Sequence, residues 1–239
     1  MKTIAQQTVR ELVLEKPEAT RVLEQLGIDY CCGGNKPLEE ACAAAHLPVE
    51  EVLARLEAQA GTPGPAAEKD WQTASLTSLV EHINGTHHVF VRQELPRIAA
   101  LLEKVCGVHG ANHPELLRVR EIFGALGEEL GTHMMKEERI LFPYIAGLEQ
   151  QRSQGGAALA SCFGSVQNPI RMMMFEHDNA GHALRELRQA TSDYAIPGEA
   201  CISYQTLYRA LQGFEADLHQ HIHLENNILF PRTLALEKF

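Results

Sequence analysis

An eleven-residue pattern occurs twice in this chain and constrains its fold more than any other feature. The sequence reads H-x-x-x-E-x-x-I-L-F-P from His133 to Pro143 and again, 88 positions later, from His221 to Pro231. In an α-helix, a histidine and a glutamate four residues apart lie on one face, with Cβ atoms about 5–6 Å apart. The repeat therefore predicts two helices that bring two histidine–glutamate pairs to the centre of a helical bundle.

Apolar residues extend the same helical face beside both patterns, at alternating steps of three and four residues. This period is typical of an amphipathic helix. Two further stretches have this period with one histidine in phase, namely His88 and His177, 89 positions apart. The sequence predicts an all-α fold with an antiparallel four-helix bundle, whose long helices cover residues 75–105, 114–146, 168–190 and 203–230. The predicted core stripes are Val91, Leu95, Ile98 and Leu102; Ile122, Leu126, Leu130 and Ile140; Ile170, Met174, Gly181 and Leu184; and Leu207, Leu211, Phe214, Leu218 and Ile228.

Polar residues interrupt the apolar stripe of each predicted helix, and burying such groups without partners would be unfavourable. Together they supply four imidazoles and two carboxylates, which can bind two metal ions that share both carboxylates. Mixed nitrogen and oxygen ligands without thiolate suit non-haem iron, or manganese, better than a structural zinc site. Each ion has few protein ligands, so we expect water, hydroxide or oxide to complete its coordination. The predicted ligands are His88, His133, Glu137, His177, His221 and Glu225.

Periodicity alone leaves the ligand from the first long helix open. His87 fits an alternative stripe through Val80, Ile83 and Phe90, so it competes with His88. Three other histidines lie off the predicted inner face, and we expect them to be solvated: His182, His219 and His223.

Three more residues lie next to a predicted ligand or one turn from it. Glu129 lies one turn before His133, and Glu176 directly precedes His177. Histidine ligands usually donate their second N–H to a carboxylate or a carbonyl, so both glutamates are candidates for that role, or are simple surface charges. Gly181, one turn after His177, leaves room either for a small ligand or for a close helix contact.

The first 60 residues are predicted to form a small helical domain in front of the bundle. Short helices are predicted over residues 3–14 and 19–26, with two more across 36–60, and the motif D-Y-C-C-G-G at 29–34 contains a glycine turn. A stretch rich in glycine and proline at 61–70 is the predicted linker. The bundle domain then covers residues 71–239.

Charge and hydropathy exclude several classes of partner. The formal net charge of −10 opposes binding to nucleic acid or to an anionic membrane, since both require a basic surface. The sequence has no apolar run of about 20 residues that could span a bilayer. Its first residues contain neither an apolar signal-peptide segment nor a small-residue cleavage site. We therefore expect a cytoplasmic protein whose cysteines stay reduced.

Several segments of the sequence resemble one known family. The bundle is similar to the hemerythrin-like domain, and its combination with D-Y-C-C-G-G resembles the di-iron family called repair of iron centres. The resemblance covers essentially the whole chain. It rests on residues 29–34, 69–71, 94–96, 133–138, 176–178 and 224–231.

The resemblance implies repair of iron–sulfur clusters that nitric oxide or peroxide has damaged. It implies a centre of two non-haem iron ions, Fe²⁺ or Fe³⁺, bridged by oxide or hydroxide. Damaged iron–sulfur proteins are the implied partners, and a homodimer is implied as well. The family's ligand roles fall on the same six residues that periodicity selects, and the resemblance gives functional weight to Cys31 and Cys32.

Cys31 and Cys32 cannot easily form a disulfide with each other. Adjacent Cα atoms lie about 3.8 Å apart, whereas a disulfide requires roughly 4.4–6.8 Å. The two thiols are candidates for ligands of iron in transit, for reductants of the metal centre, or for buried small residues.

Two other functions are compatible with the predicted centre. One is binding or sensing of oxygen or nitric oxide, and the other is reduction of nitric oxide or peroxide at the two irons. Oxygen-carrying hemerythrins have an additional histidine ligand as a family trait, whereas only four histidines are in phase here. An oxygen carrier would also have no use for the cysteine domain. We therefore favour a metal-handling repair protein over a classical enzyme.

Overall fold

The computed structural model describes residues 3–59, 70–154 and 163–237, and all regular secondary structure within these ranges is helical. None of the described helices is long and apolar enough to cross a membrane. The N-terminal part contains α1 (Val9–Glu15), α2 (Ala19–Gln25), α3 (Leu38–Ala44) and α4 (Val49–Gln59). The remainder contains α5 (Leu76–His82), α6 (Val89–His109), α7 (Glu115–Lys136), α8 (Phe142–Gln154), α9 (Gln167–Ala190), α10 (Ile202–His223) and α11 (Phe230–Glu237).

Three π-helical turns join neighbouring bundle helices into continuous rods. They cover Ile83–His88, Glu137–Leu141 and Leu224–Leu229, and they connect α5 to α6, α7 to α8 and α10 to α11. The described chain thus forms four rods, at 76–109, 115–154, 167–190 and 202–237. The second rod packs against the first and the third, and the fourth packs against the first. The predicted all-α four-helix bundle is therefore confirmed, although the second and fourth rods extend further than predicted.

The predicted core stripes agree with the structure except at two positions. Ile140 is 48% exposed, and Leu141 takes the inward place. A π-helical turn contains more residues than an α-helical turn, so the turn in the second rod shifts the inward phase by one residue. In the third rod Met174 is 37% exposed and Met173 only 3%, because Met173 lies one full turn before His177.

Two apolar clusters fill the bundle, one on each side of a polar layer. In the first rod Ile83 belongs to one cluster and Val91 to the other, with His88 between them. In the fourth rod Leu229 belongs to the first of these clusters and Leu218 to the second, with His221 and Glu225 between them. The larger cluster also includes residues of α1 to α4, so the N-terminal helices share the core of the bundle.

The N-terminal helices pack against the third and fourth rods. The side-chain amide of Asn227 donates to the backbone carbonyl of Tyr30 over 3.0 Å, and His219 lies 2.9 Å from the carboxylate of Glu24. His223 is buried against the ring of Tyr30. The prediction that His223 is solvated is therefore wrong, and His219, predicted to be solvated as well, is only 20% exposed. The period of one helix does not show which face a second domain covers.

The first N-terminal helix begins later than predicted. A short 3₁₀ turn covers Ile4–Gln6, and α1 begins only at Val9. Thr8 caps α1, because its hydroxyl accepts the N–H of Glu11 over 3.1 Å while the Glu11 carboxylate accepts the N–H of Thr8 over 2.8 Å. This reciprocal capping box sets the start of the helix.

The packing of the fourth rod predicts a large difference between two substitutions. Leu211 is 1% exposed, whereas Ile202 is 78% exposed. We expect Leu211→Ala to lower the free energy of unfolding by about 2–5 kcal/mol, because it removes buried apolar atoms and leaves a cavity. Ile202→Ala should change it by less than about 0.5 kcal/mol. Urea unfolding of the metal-free chains, followed by circular dichroism, measures both; equal effects would contradict this packing.

Candidate metal centre

Six polar side chains meet in the buried layer between the two apolar clusters. His88 faces His221 with Nε2 atoms 3.2 Å apart, and His133 faces His177 with Nε2 atoms 3.1 Å apart. Each carboxylate lies close to one imidazole of both pairs. These nitrogen–oxygen distances are 3.4 Å for His88 and Glu137, 3.2 Å for His133 and Glu137, 3.0 Å for His177 and Glu225, and 3.3 Å for His221 and Glu225.

The π-helical turns lie where the rods carry these side chains. His88 ends the turn of the first rod, Glu137 begins that of the second, and Glu225 lies within that of the fourth. Such turns are frequent at functional sites. Sequence reasoning missed them, because no residue type specifies a π-helical turn.

The six residues form two overlapping groups of possible metal donors. In each group, two imidazoles and both carboxylates offer atoms that lie within 4.8 Å of one another. We name the groups the His88–His221 position and the His133–His177 position. Both include Glu137 and Glu225, which is the arrangement expected for two metal ions with shared carboxylates.

In the described part of the chain, only the surrounding imidazoles lie close to the charges of the two buried carboxylates. Glu137 and Glu225 are fully buried, and neither has a hydrogen-bond partner among the described residues. The imidazole nitrogens around them are close enough for ion pairs but are not aligned for hydrogen bonds. Buried charges left uncompensated are strongly unfavourable. Two cations would satisfy all four oxygens, so the residues present fit a dinuclear centre.

The electrostatics of this layer favour positive charge. Burial opposes the charge of Glu225, but His221 and His177 hold its pKa well below its ordinary value. Burial also opposes a charge on His133, yet the charges of Glu137 and Glu225 raise its pKa to about 9. The carboxylates therefore stay ionised and attract either protons on the imidazoles or a metal cation.

Outer hydrogen bonds fix the orientation of three of the four imidazoles. In each case Nδ1 contacts an oxygen from another rod, a contact that orients a histidine ligand and strengthens metal binding. Nδ1 of His221 is buried and has no hydrogen-bond partner in the part of the chain that the structure describes. The three contacts are His88 with Glu138 (2.7 Å), His133 with Glu176 (2.8 Å) and His177 with Asn226 (2.8 Å).

The two glutamates that were predicted to support ligands have different surroundings in the structure. Glu176 contacts His133, whereas Glu129 is exposed on α7 and lines a cavity. Sequence reasoning missed Glu138 and Asn226. Both directly follow a glutamate of the repeated pattern, so the repeat itself carried a signal that could have identified them.

His87, the alternative to the selected histidine of the first rod, lies outside both donor groups. Its Nδ1 lies 3.0 Å from the carboxylate of Asp217, and its ring is parallel to that of His221 with 5.5 Å between centroids.

Trp71 stacks on His82 with 4.4 Å between ring centroids, and His82 contacts His87 edge-on at 5.6 Å. A row of aromatic rings thus leads from Trp71 to the buried layer.

A cavity of about 430 Å³ opens between α7 and α9. It reaches His133, His177 and His221, and the exposed side chains of Met172 and Phe175 also line it. The cavity gives a small molecule a route to the buried layer.

Asp29, Cys31 and Cys32 form a third group of possible donors, with atoms within 4.8 Å of one another. Both cysteines are free thiols, and contact with Cys32 together with burial raises the pKa of Cys31. Sγ of Cys32 lies 3.5 Å from the backbone carbonyl oxygen of His177. A Cβ atom at Gly181 would lie 3.5 Å from the same sulfur. Gly181 therefore faces the cysteine loop rather than a neighbouring helix, and the two roles predicted for it stay predictions.

The fold and the buried layer together define a metal-binding four-helix bundle. Residues 78–233 match the family described as hemerythrin HHE cation binding domain, and the chain belongs to this family. Residues 5–60 match a second family, described as a domain of unknown function, DUF542.

Several similar proteins extend over nearly the whole chain. Identity is 37% to a probable iron-sulfur cluster repair protein of Haemophilus influenzae, over 97% of this chain and 98% of that protein. Identity is 38%, with the same coverage, to the iron-sulfur cluster repair protein YtfE of Citrobacter koseri and of Escherichia coli. Within its family, the chain therefore groups with these proteins.

A cation that binds only the folded chain should stabilise it. With free Fe²⁺ at 100 times Kd, we expect each occupied position to raise the free energy of unfolding by about 2.7 kcal/mol. Glu137→Ala should remove most of this gain, because both donor groups lose a carboxylate. Glu121→Ala, on the exposed face of α7, is the matched control and should keep it. Anaerobic thermal unfolding with and without Fe²⁺ measures the gain, and a full gain in Glu137→Ala would rule out this carboxylate as a ligand.

Proposed function

We propose that this chain supplies iron to iron–sulfur clusters damaged by nitrosative or oxidative stress, from a centre of two non-haem iron ions. The observation that carries the proposal is the presence of two donor groups with shared carboxylates beside a pair of free thiols. Similarity to iron-sulfur cluster repair proteins over nearly the whole chain supports it. Proteins with damaged clusters are the proposed partners.

In this proposal one iron occupies the His88–His221 position and the other occupies the His133–His177 position. Both carboxylates are shared between them. Imidazole and carboxylate are suitable ligands for non-haem iron. When bound, the two ions would supply a store of iron that can be exchanged.

The groups of the chain itself set how firmly this store is held. The apolar clusters on both sides of the layer lower the effective dielectric constant around it, which strengthens the attraction between carboxylates and cations. Outer hydrogen bonds keep three imidazoles in their orientation. Each ion has only two imidazoles of its own, so a competing ligand that enters the layer can displace it.

Cys31 and Cys32 are the proposed receiving ligands for iron that leaves the bundle. Cysteine thiolate is a softer ligand than imidazole or carboxylate, and it is the usual ligand of iron–sulfur clusters. Asp29 adds an oxygen donor to the same group. Because Cys32 contacts the backbone of His177, the path from the bundle to the thiols is short.

The cavity supports a second candidate function, the binding or reduction of nitric oxide, peroxide or oxygen at the same centre. It reaches three imidazoles of the layer, and it is lined by apolar side chains as well as polar ones. A small uncharged molecule could therefore reach the irons without passing the thiols. In this second function the cysteines have no direct part.

The thiol pair distinguishes these functions. We expect the double variant Cys31→Ser, Cys32→Ser to keep both irons, because neither cysteine belongs to the donor groups of the buried layer. It should lose most of its ability to reactivate a purified [4Fe–4S] enzyme that nitric oxide has inactivated. Iron analysis and anaerobic reactivation by the iron-loaded chain measure the two properties. Cys201→Ser removes an exposed thiol beside His109 and is the matched control, which should keep both.

Three results would contradict parts of this proposal. Loss of both irons in the double variant would show that the thiols and the layer form one centre. Full reactivation by the double variant would remove the thiols from the transfer of iron. Sustained consumption of nitric oxide or peroxide by the native chain, without any reactivation, would favour the second function.

A further inference from the structure

The two metal positions are built with unequal support from the surrounding chain. At the His133–His177 position, Nδ1 of each imidazole lies 2.8 Å from an oxygen that holds it. At the His88–His221 position only the first imidazole is held, at 2.7 Å. Nδ1 of His221 has no hydrogen-bond partner within the described ranges, although it is buried.

The internal repeat predicts a second copy of each supporting contact, because residues of the first two rods correspond to residues 88 or 89 positions later. The contact of His88 with Glu138 corresponds to that of His177 with Asn226, and the structure contains both. An amide oxygen therefore replaces the carboxylate in the second copy without loss of the contact.

The other supporting contact has no second copy. Glu176, which holds His133, corresponds to His87, which would have to hold His221. His87 instead directs its Nδ1 to Asp217 at 3.0 Å, and its ring lies parallel to that of His221 with 5.5 Å between centroids. Parallel rings at this separation do not form an N–H···N hydrogen bond, so His221 has no substitute for the missing carboxylate.

We infer that the two positions bind iron with different strength, and that the His88–His221 position releases its iron first. Loss of the outer partner of a histidine ligand weakens metal binding about 10- to 100-fold. The inference rests on the proposed dinuclear centre and assigns its two ions different roles. One ion is the exchangeable cargo, and the other stays and keeps the shared carboxylates in place.

Access from solvent does not explain why the His88–His221 position would release its iron first. The cavity is lined by both imidazoles of the His133–His177 position but only by His221 of the other position, so access alone would favour release from the His133–His177 position. The inferred order of release depends instead on how firmly each imidazole is held.

Release of Fe²⁺ into excess ferrozine from the anaerobic, fully loaded chain measures this order. We expect two phases of one iron per chain each, with rate constants that differ about 10- to 100-fold. Glu176→Ala frees His133 and should accelerate the slow phase toward the fast one. Glu176→Gln is the matched control, because its amide oxygen can still accept the N–H, as Asn226 does for His177. The control should therefore keep the slow phase.

A second variant tests the inference in the opposite direction. The double substitution His87→Glu, Asp217→Asn places a carboxylate at the counterpart of Glu176 and removes a neighbouring, partly buried charge. It should slow the fast phase toward the rate of the slow one. Circular dichroism verifies that each variant keeps its helices before release is measured.

The outcomes separate this inference from the proposed function. Release of two irons in a single phase, or acceleration of only the fast phase by Glu176→Ala, would overturn the inference and leave the dinuclear centre intact. Saturation with fewer than two irons per chain would overturn the dinuclear centre itself.

Discussion

Two carboxylates that are fully buried in the middle of the bundle are the constraint on which the rest of the structure depends. Glu137 and Glu225 have neither solvent nor hydrogen bonds to compensate their charge among the described residues, and an uncompensated buried charge destabilises a fold by several kcal/mol. The imidazoles around them compensate it in part. The apolar clusters on both sides increase the attraction of the layer for cations. The bundle is thus organised to hold positive charge.

Helical periodicity shows which residues share the inward face of a helix. The helical period was sufficient to predict the bundle and the six side chains that the structure brings together. The role of these side chains as metal ligands stays a prediction. Periodicity could not predict Leu141 in place of Ile140, because a π-helical turn changes the number of residues per turn. It also could not predict that His223 is buried, because the N-terminal helices cover that face and leave no trace in the period of the fourth rod.

One amide connects the metal layer to the cysteine loop. Oδ1 of Asn226 accepts the N–H of His177 over 2.8 Å, and its Nδ2 donates to the backbone carbonyl of Cys31 over 3.3 Å. A carboxylate at this place, as at Glu138, could accept but could not donate. The difference between the two copies of the repeat therefore creates a hydrogen-bonded link between His177 and the cysteine loop.

The row of aromatic rings beside the layer ends at the only tryptophan of the chain. Trp71 stacks on His82 at 4.4 Å, and the rings that follow are in contact as far as His221. Because iron ions near an indole quench its emission, we expect the fluorescence of Trp71 to fall as the bundle is loaded with iron. The native tryptophan would then report iron loading without an added dye.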